Sequence, residues 1–215
     1  MRLILVRHGQ TSSNTGALLD TAVPGADLTA TGREQAAGLV ERMAAERIEA
    51  IYASTLVRTQ QTAGPLAADR GLPIQVLPGL REVSAGDYEM ATDAREYIAV
   101  LIGWAEGRLD AKLPGGEDAN EFFARFDDAI ATISAADHEV ALLVSHGAAL
   151  RVWAVARVSG FVDAVGNGYF DNTDLIVIEG DPVQGWTLVS LDGFIEYNDE
   201  VGALNPEDAE EEAVS

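Results

Sequence analysis

The chain of 215 residues is 47% hydrophobic and 23% charged, a mixture typical of a single globular domain that buries a substantial core. It contains no cysteine, which excludes disulfide bonds, cysteine-ligated zinc and thiol catalysis. Its formal net charge of −21 argues against a nucleic-acid partner, because such proteins need a basic face to neutralise phosphates. No apolar run is long enough for a secretory signal core or a membrane span, so we expect a cytoplasmic protein that does not contact membranes.

The first predicted strand covers the apolar residues 3–6 and ends just before His8. A helix should follow, because Thr31 and Glu34 have the spacing of a capping box and apolar residues then recur with a helical period to about Arg47. The polar side chains after the strand therefore stand at its carboxyl end, where open α/β sheets bind ligands.

The second predicted strand, at residues 50–54, leads into a helix that carries Arg58. Pro65 follows a glycine in this helix and should kink or interrupt it, since proline lacks a backbone N–H. A third strand is predicted at residues 74–77, and Glu82 comes shortly after it. Both charged side chains thus follow predicted strands.

The second half of the chain continues the alternation. An amphipathic helix is predicted over residues 93–106, and a longer helix around residues 122–133. A buried strand at residues 141–144 then leads to His146, in the same setting that His8 has after the first strand.

Two further strands, at residues 175–178 and 186–190, complete the pattern. Strands that alternate with helices are typical of an α/β sandwich around a mostly parallel sheet. We expect residues 1–200 to form one domain, and we expect the acidic residues 201–215 to be a disordered tail.

Two of the three histidines, His8 and His146, share the same context of a strand end followed by glycine, and Arg7 precedes the first. These residue types suit phosphoryl transfer. Arginine binds two oxygens of a phosphate monoester at once, and a neutral histidine can attack its phosphorus to form a covalent intermediate. A carboxylic acid with a raised pKa can protonate the leaving oxygen.

The sequence offers a candidate for each part of such a reaction. His8 is the predicted nucleophile, and Glu82 is the predicted acid. The other candidates are donors to the phosphate, namely Arg7, Arg58, His146 and the backbone amide of Gly147.

Six motifs occur in a fixed order along residues 3 to about 150. They are LVRHGQT at 5–11 with Asn14, LTxxGxxQA at 28–36, SxxxRTxQTA at 54–63, LRE at 80–82, PGGE at 114–117 and VSHG at 144–147. With these motifs the chain resembles the histidine phosphatase superfamily, in its phosphoglycerate-mutase-like branch.

The resemblance implies a three-layer α/β/α sandwich with a mixed sheet. It also implies a phosphatase that acts on a small phosphate ester through a phosphorylated His8, without a metal or an organic cofactor. Glu82 takes the proton-donor position, because glycine rather than aspartate follows His146. The residues that resemblance assigns to the phosphate pocket are Arg7, Arg58, His146, Gln10, Thr11 and Asn14.

Two segments depart from the family pattern. Residues 18–25 stand where many relatives carry an Arg-x-Gln-Gly element, and residues 83–90 lack the common Glu-Gly ending. We expect both segments to face the mouth of the site, so substrate preference cannot be transferred from a relative. The sequence does not indicate an oligomeric state.

Three alternatives to hydrolysis are open at this point. A mutase must retain the half-transferred substrate, which generally takes additional cations, and between residues 82 and 114 the cations are Arg95, Arg108 and Lys112. A module that only binds phosphate would not need a nucleophile and an acid together. A metal held by His8, His146 and Glu82 is disfavoured by the positive charge of the neighbouring Arg7.

The apolar stripe of the helix at residues 93–106 also allows two interpretations. We expect it to pack the helix against the core through Tyr97, Ile98, Leu101 and Ile102. The alternative is a lid over the substrate, in which case truncating Tyr97 or Trp104 should change Michaelis constants more than stability.

Overall fold

The structure is a computed structural model that describes residues 1–166 and 168–195. The predicted acidic tail at residues 201–215 and the last part of the predicted domain, residues 196–200, lie outside the described residues. No helix in the described ranges combines the length and the apolar character needed to cross a bilayer.

Seven strands form one sheet in the order β3-β2-β4-β1-β6-β7-β5. The strands are β1 (Arg2–Arg7), β2 (Ala50–Ala53), β3 (Ile74–Val76), β4 (Val140–Ser145), β5 (Val158–Ser159), β6 (Tyr169–Asp181) and β7 (Gly185–Ile195). All neighbouring pairs are parallel except the two that involve β6, which runs antiparallel to β1 and to β7. Within the described strands, β6 alone therefore opposes the common direction, and the predicted mostly parallel mixed sheet is confirmed.

Seven helices accompany the sheet in the described part of the chain. They are α1 (Ser12–Thr15), α2 (Ala30–Arg42), α3 (Val57–Arg70), α4 (Arg95–Ala105), α5 (Ala119–Ser134), α6 (Gly147–Arg157) and α7 (Phe161–Val165). Two 3₁₀ turns, Pro78–Leu80 and Gly86–Tyr88, lie between β3 and α4.

Alternate side chains of β1 enter two separate hydrophobic cores, because successive residues of a strand point to opposite faces of the sheet. Leu3 and Leu5 pack with the side of the sheet that α4, α5 and α6 cover. Ile4 and Val6 pack with the side that α2 and α3 cover. Helices therefore lie on both faces, which confirms the predicted three-layer sandwich, and each fully buried side chain contributes about 1.5–3 kcal/mol.

Helix α2 begins and ends earlier than the sequence predicts. Its N-cap is Thr29, whose side chain accepts a hydrogen bond from the Gly32 amide, so Thr31 lies inside the helix. The helix ends at Arg42 rather than near residue 47, because the backbone bonds then shorten to three-residue turns, as in the 3.1 Å bond from the Ala44 amide to the Glu41 carbonyl.

Helix α3 continues through Pro65 to Arg70, so the predicted interruption is wrong, whereas the alternative of a kink stays a prediction. Part of the steric conflict that proline causes is with the Cβ of the residue before it. That residue is Gly64, which has no Cβ, so this part is absent, although the helix still loses one hydrogen bond at Pro65.

The packing predicted for α4 is correct for Tyr97 and wrong for Ile98 and Ile102, whose exposed fractions are 41% and 52%. The buried face instead runs through Tyr97 and Trp104 in the core, and the predicted Leu101 packs half-buried against the same core. Their polar atoms are paired as well, since the Tyr97 hydroxyl donates to the Val83 carbonyl at 3.1 Å and Trp104 Nε1 donates to the Ala111 carbonyl at 2.7 Å. These contacts give both side chains a structural role and contradict the lid interpretation for them.

Candidate active site

The two site histidines meet because β1 and β4 are neighbouring parallel strands whose carboxyl ends coincide. Arg7 is paired in register with Ser145, and the His8 amide donates to the Ser145 carbonyl at 3.0 Å. The rings of His8 and His146 consequently lie with their centroids 5.3 Å apart, at an interplanar angle of 62°. The sequence expectation that both strand ends contribute to one site agrees with this geometry.

The ring of His8 is held in one tautomer. Its Nδ1 lies 2.8 Å from the carbonyl oxygen of Gly9, and since a carbonyl can only accept, Nδ1 carries the hydrogen. The lone pair is then on Nε2. Burial, reinforced by the charges of Arg58 and Arg7, lowers the pKa of His8 well below its ordinary value of 6.5, so the ring is neutral near pH 7.

The turn after His8 is tightly packed against the start of α2. The Gly9 amide donates to Thr62 Oγ1 at 2.9 Å, and a Cβ at Gly9 would lie 2.7 Å from the Gly32 carbonyl oxygen. The backbone carbonyl of His8 accepts a hydrogen bond from Asn172 Nδ2 at 2.9 Å. The nucleophile candidate is therefore fixed on both sides by backbone and side-chain contacts.

Arg58 is almost completely buried, with 3% of its surface exposed. Its Nη2 donates to the carbonyl of Asp20 at 2.6 Å, and its Nη1 lies 3.4 Å from Asp20 Oδ2. Its Nε and Nη1 are buried without a hydrogen-bond partner among the described residues. Nη1 still has the Asp20 carboxylate as its ionic partner, whereas Nε has none. Because buried donors are nearly always satisfied in native proteins, Nε points to a missing acceptor.

Arg7 lies between the two strand ends and the bulged part of β6. Its Nη1 donates to the carbonyl of Phe170. A Cβ at Gly147 would lie 3.3 Å from Arg7 Nε, so glycine at this first position of α6 gives the arginine room to pack against the helix N-terminus. Two guanidinium groups thus flank the histidine pair and lower the pKa of both rings.

His146 is fully buried. Its Nε2 lies 2.8 Å from Ser54 Oγ, which in turn lies 3.0 Å from Thr59 Oγ1, whereas its Nδ1 is buried without a hydrogen-bond partner in the described ranges. Burial, then the charges of Arg58 and His8, lower the pKa of His146 well below its ordinary value. The ring offers Nδ1 as a further contact for a ligand.

Glu82 lies against the N-terminus of α6. Its Oε1 accepts from the amides of Val83 at 2.8 Å and Ala149 at 2.7 Å, and its Oε2 accepts from the Ala148 amide at 3.2 Å. Burial raises the pKa of Glu82 above its ordinary value, although the three amides and Arg58 oppose the rise. The carboxyl group is therefore protonated over a wider pH range than an exposed glutamate.

The three residues that resemblance adds to the pocket have hydrogen-bond partners within the protein. Thr11 caps α1 in a capping box with Asn14, whose Oδ1 accepts from the Thr11 amide at 2.9 Å. Gln10 Oε1 accepts from Thr29 Oγ1 at 2.8 Å. These contacts give the residues structural roles, and their contact with a ligand stays a prediction.

The two segments that depart from the family pattern lie against each other beside Arg58. Glu89 accepts hydrogen bonds from the Thr21 amide at 2.8 Å, from Thr21 Oγ1 at 2.6 Å and from the Ala22 amide at 3.0 Å. Backbone bonds between Leu19 and residues 90–91 continue the contact. Asp20, which contacts Arg58, belongs to the first of these segments.

Sequence reasoning missed two residues with direct contacts to the candidates, Asp20 and Asn172. Asp20 lies in a segment that departs from the family pattern, which is the available signal for it. Asn172 lies in a polar interruption of an apolar strand, where the β6–β7 register shifts between Phe170 and Leu175. In the described part of the chain, no group of three or more His, Asp or Glu side chains is arranged to hold a metal ion.

Comparison with known proteins supports the same family. The sequence matches the description "Histidine phosphatase superfamily (branch 1)" over residues 3–192. It is 35% identical over 168 residues to the adenosylcobalamin/alpha-ribazole phosphatase of Escherichia coli, covering 74% of this chain and 80% of that protein. Curated relatives include proteins named as phosphatases and proteins named as probable phosphoglycerate mutases.

A further relative is the PE-PGRS family protein PE_PGRS11 of Mycobacterium tuberculosis, which is 38% identical over 212 residues. The alignment covers 88% of this chain but 36% of that protein, so the chain spans about a third of its length.

The fold has similar solved structures. One is a mycobacterial glucosyl-3-phosphoglycerate phosphatase complexed with VO3, with a TM-score of 0.71 and 28% identity over 91% of this chain and 99% of that one. The expected family and the expectation of a phosphatase are confirmed by these comparisons. The chain belongs to branch 1 of the histidine phosphatase superfamily.

Proposed function

We propose that this chain is a metal-independent phosphatase that hydrolyses a small phosphate monoester through a phosphohistidine on His8. The observation that carries the proposal is the combination of a neutral His8 with the unsatisfied buried Nε donor of Arg58. The first provides a lone pair on Nε2, and the second provides a charged donor site for phosphate.

The reaction follows from these positions. Arg7, Arg58 and His146 bind the oxygens of the phosphate, and His8 Nε2 attacks the phosphorus as the bond to the leaving oxygen breaks. Glu82 transfers its proton to that oxygen. Water then attacks the phosphohistidine and gives a proton to the Glu82 carboxylate, which releases inorganic phosphate and restores both residues.

Hydrolysis is favoured over a mutase reaction by the pairing of the three cations between residues 82 and 114. Arg95 pairs with Asp93, Arg108 with Glu106 and Lys112 with Glu121, at 2.5, 2.9 and 3.3 Å. These three cations of residues 82–114 are already matched by carboxylates on the surface. They offer little attraction for the second acidic group of a phosphoglycerate while the phosphoryl group is on His8.

The alternative of a phosphate-binding module is disfavoured by Glu82. A protonated carboxyl group could help to bind phosphate, but a binder does not need a nucleophile and a proton source together, whereas a leaving alkoxide needs the latter. The combination of His8 with a Glu82 of raised pKa therefore supports catalysis over binding alone.

The test is phosphate release from a panel of monoesters in the presence of a chelator, with native protein and His8→Ala compared. We expect release by the native protein and none by the variant, together with acid-labile phosphate on native protein quenched during turnover. More 2-phosphoglycerate than free phosphate from 3-phosphoglycerate would establish a mutase instead. Phosphate binding without turnover in both proteins would establish a binding module.

A further inference from the structure

The loop at residues 19–26 wraps around the guanidinium group of Arg58. The carbonyl of Asp20 accepts from Arg58 Nη2 at 2.6 Å, and Asp20 Oδ2 lies 3.4 Å from Nη1. Gly25 has a φ of +70°, and a Cβ there would collide with Arg58 Nη1. The backbone thus passes so close to the arginine that position 25 requires glycine, both for its φ and for the space.

The carboxylate of Asp20 is itself fixed. Oδ2 accepts hydrogen bonds from Ser13 Oγ at 2.8 Å and from the Ala26 amide at 2.9 Å, and the side chain is 7% exposed. The same loop is joined to the start of α3, because the Val57 amide donates to the Pro24 carbonyl at 3.0 Å. Asp20 therefore reaches Arg58 from a rigid frame.

Two opposite effects of Asp20 on a bound phosphate are possible. Its negative charge repels a dianion, so on electrostatics alone its removal would strengthen phosphate binding. Its contacts, however, fix Nη1 and Nη2 of a buried guanidinium, while Nε has no hydrogen-bond partner in the described chain. Ordering a long arginine side chain when phosphate binds costs conformational entropy and weakens binding. Because Asp20 already holds Arg58 in place, its orienting effect strengthens phosphate binding and opposes the charge repulsion.

We propose that Asp20 is a positioning residue for phosphate binding, and that by holding Nη1 and Nη2 of Arg58 it leaves Nε directed to the phosphate oxygens. The orienting effect outweighs the charge repulsion. The inference rests on the proposed function only in placing the phosphate group beside Arg58, since it concerns binding and not turnover.

The test measures the Kd of inorganic phosphate by titration calorimetry, which requires no turnover. Asp20→Asn keeps the shape of the side chain and removes its charge, and we expect phosphate to bind about ten- to hundred-fold more weakly. The matched control is Asp27→Asn in the same loop region. Asp27 accepts from Gln61 Nε2 at 2.7 Å and has no described contact with Arg58, so its variant should bind phosphate as the native protein does.

A double-mutant cycle separates positioning from a general loss of structure. If Asp20 acts through Arg58, adding Asp20→Asn to Arg58→Ala should cost little further affinity. An equal loss in both backgrounds, or tighter phosphate binding by Asp20→Asn alone, would overturn the proposal. Should Asp20→Asn fail to fold, Ser13→Ala removes one bond to the carboxylate, and it should weaken binding in the same direction by a smaller factor.

Native protein that binds phosphate but hydrolyses no ester would refute the proposed function and leave this inference standing. Native protein that binds no phosphate would refute the inference.

Discussion

Asn172 donates a hydrogen bond to the backbone carbonyl of His8 at 2.9 Å, although 164 positions separate the two residues. The same Nδ2 lies 3.3 Å from Asn14 Oδ1, so one amide group connects the bulge of β6, the helix α1 and the candidate nucleophile. The turn that carries His8 is thereby fixed by a residue of the distant strand β6.

Replacing Asn172 by Ala should therefore lower kcat about five-fold, since one hydrogen bond of about 1 kcal/mol positions the attacking ring. Steady-state kinetics and thermal unfolding would be measured together. Asn120→Ala is the matched control, because Asn120 donates to the Leu109 carbonyl at 3.4 Å on the exposed surface. Unchanged kcat in Asn172→Ala would show that the turn holds His8 unaided.

The pH dependence of turnover should reflect Glu82. Its pKa is raised, so the proton that the leaving group needs is lost as pH rises through that pKa, and the basic limb of kcat belongs to this residue. Glu82→Gln should abolish that limb and lower kcat for alkyl phosphates about 10²- to 10⁴-fold. With p-nitrophenyl phosphate, whose leaving group needs no proton, the rate of His8 phosphorylation in a single turnover should fall much less. Equal losses of this phosphorylation rate on both substrates would remove Glu82 from the role of acid.

Asp174 should make stability depend on pH. Burial raises its pKa from 3.8 to about 6, and Oδ2 accepts from the Asp171 amide at 2.6 Å. A folded-state pKa above the unfolded value means that stability is full below pH 4 and is lost as pH rises through 6, by about 3 kcal/mol at most. Asp174→Asn should remove this decline, as urea unfolding at pH 4 and pH 7 would show. The exposed Asp163→Asn should retain it.

Two glycines near α2 should respond oppositely to alanine. Gly9→Ala places a methyl 2.7 Å from the Gly32 carbonyl oxygen and should reduce both stability and activity. Gly38 lies inside α2 with nothing within 4 Å of the position that a Cβ would take, so Gly38→Ala should stabilise the protein by about 0.5–1 kcal/mol. Urea unfolding of both variants checks the pair, and a stable Gly9→Ala would show that the turn can shift.

Where the sequence was informative, short-range patterns were sufficient. The strands that end at Arg7 and Ser145 are apolar runs of a length that a buried strand requires, and neighbouring parallel strands bring their carboxyl ends to one edge. The motif around Arg58 placed it at the start of a helix that faces this edge. Tertiary contacts were not needed for these predictions.

Contacts between residues that are far apart in the sequence could not be predicted from local sequence patterns. Asp20 and Asn172 reach the site from positions 38 and 164 residues away from their partners, Arg58 and His8. Glu82 was predicted as an acid, yet its binding by the amides at the start of α6 depends on how that helix docks beside the 80–82 segment. The continuity of α3 through Pro65 depends on the neighbouring Gly64. Glycine has a low helix propensity, so the local sequence predicts a helix break at this point rather than a continuous helix.

The double-sided burial of β1 has a consequence for insertions and deletions. Adding one residue within this strand would exchange Leu3 and Leu5 with Ile4 and Val6 between the two cores, and it would also displace His8 from the end of β4. The hairpin tip between β6 and β7, where Val183 is 94% exposed, carries no such constraint. Length variation among homologues should therefore be absent from the first strand and accumulate at that tip.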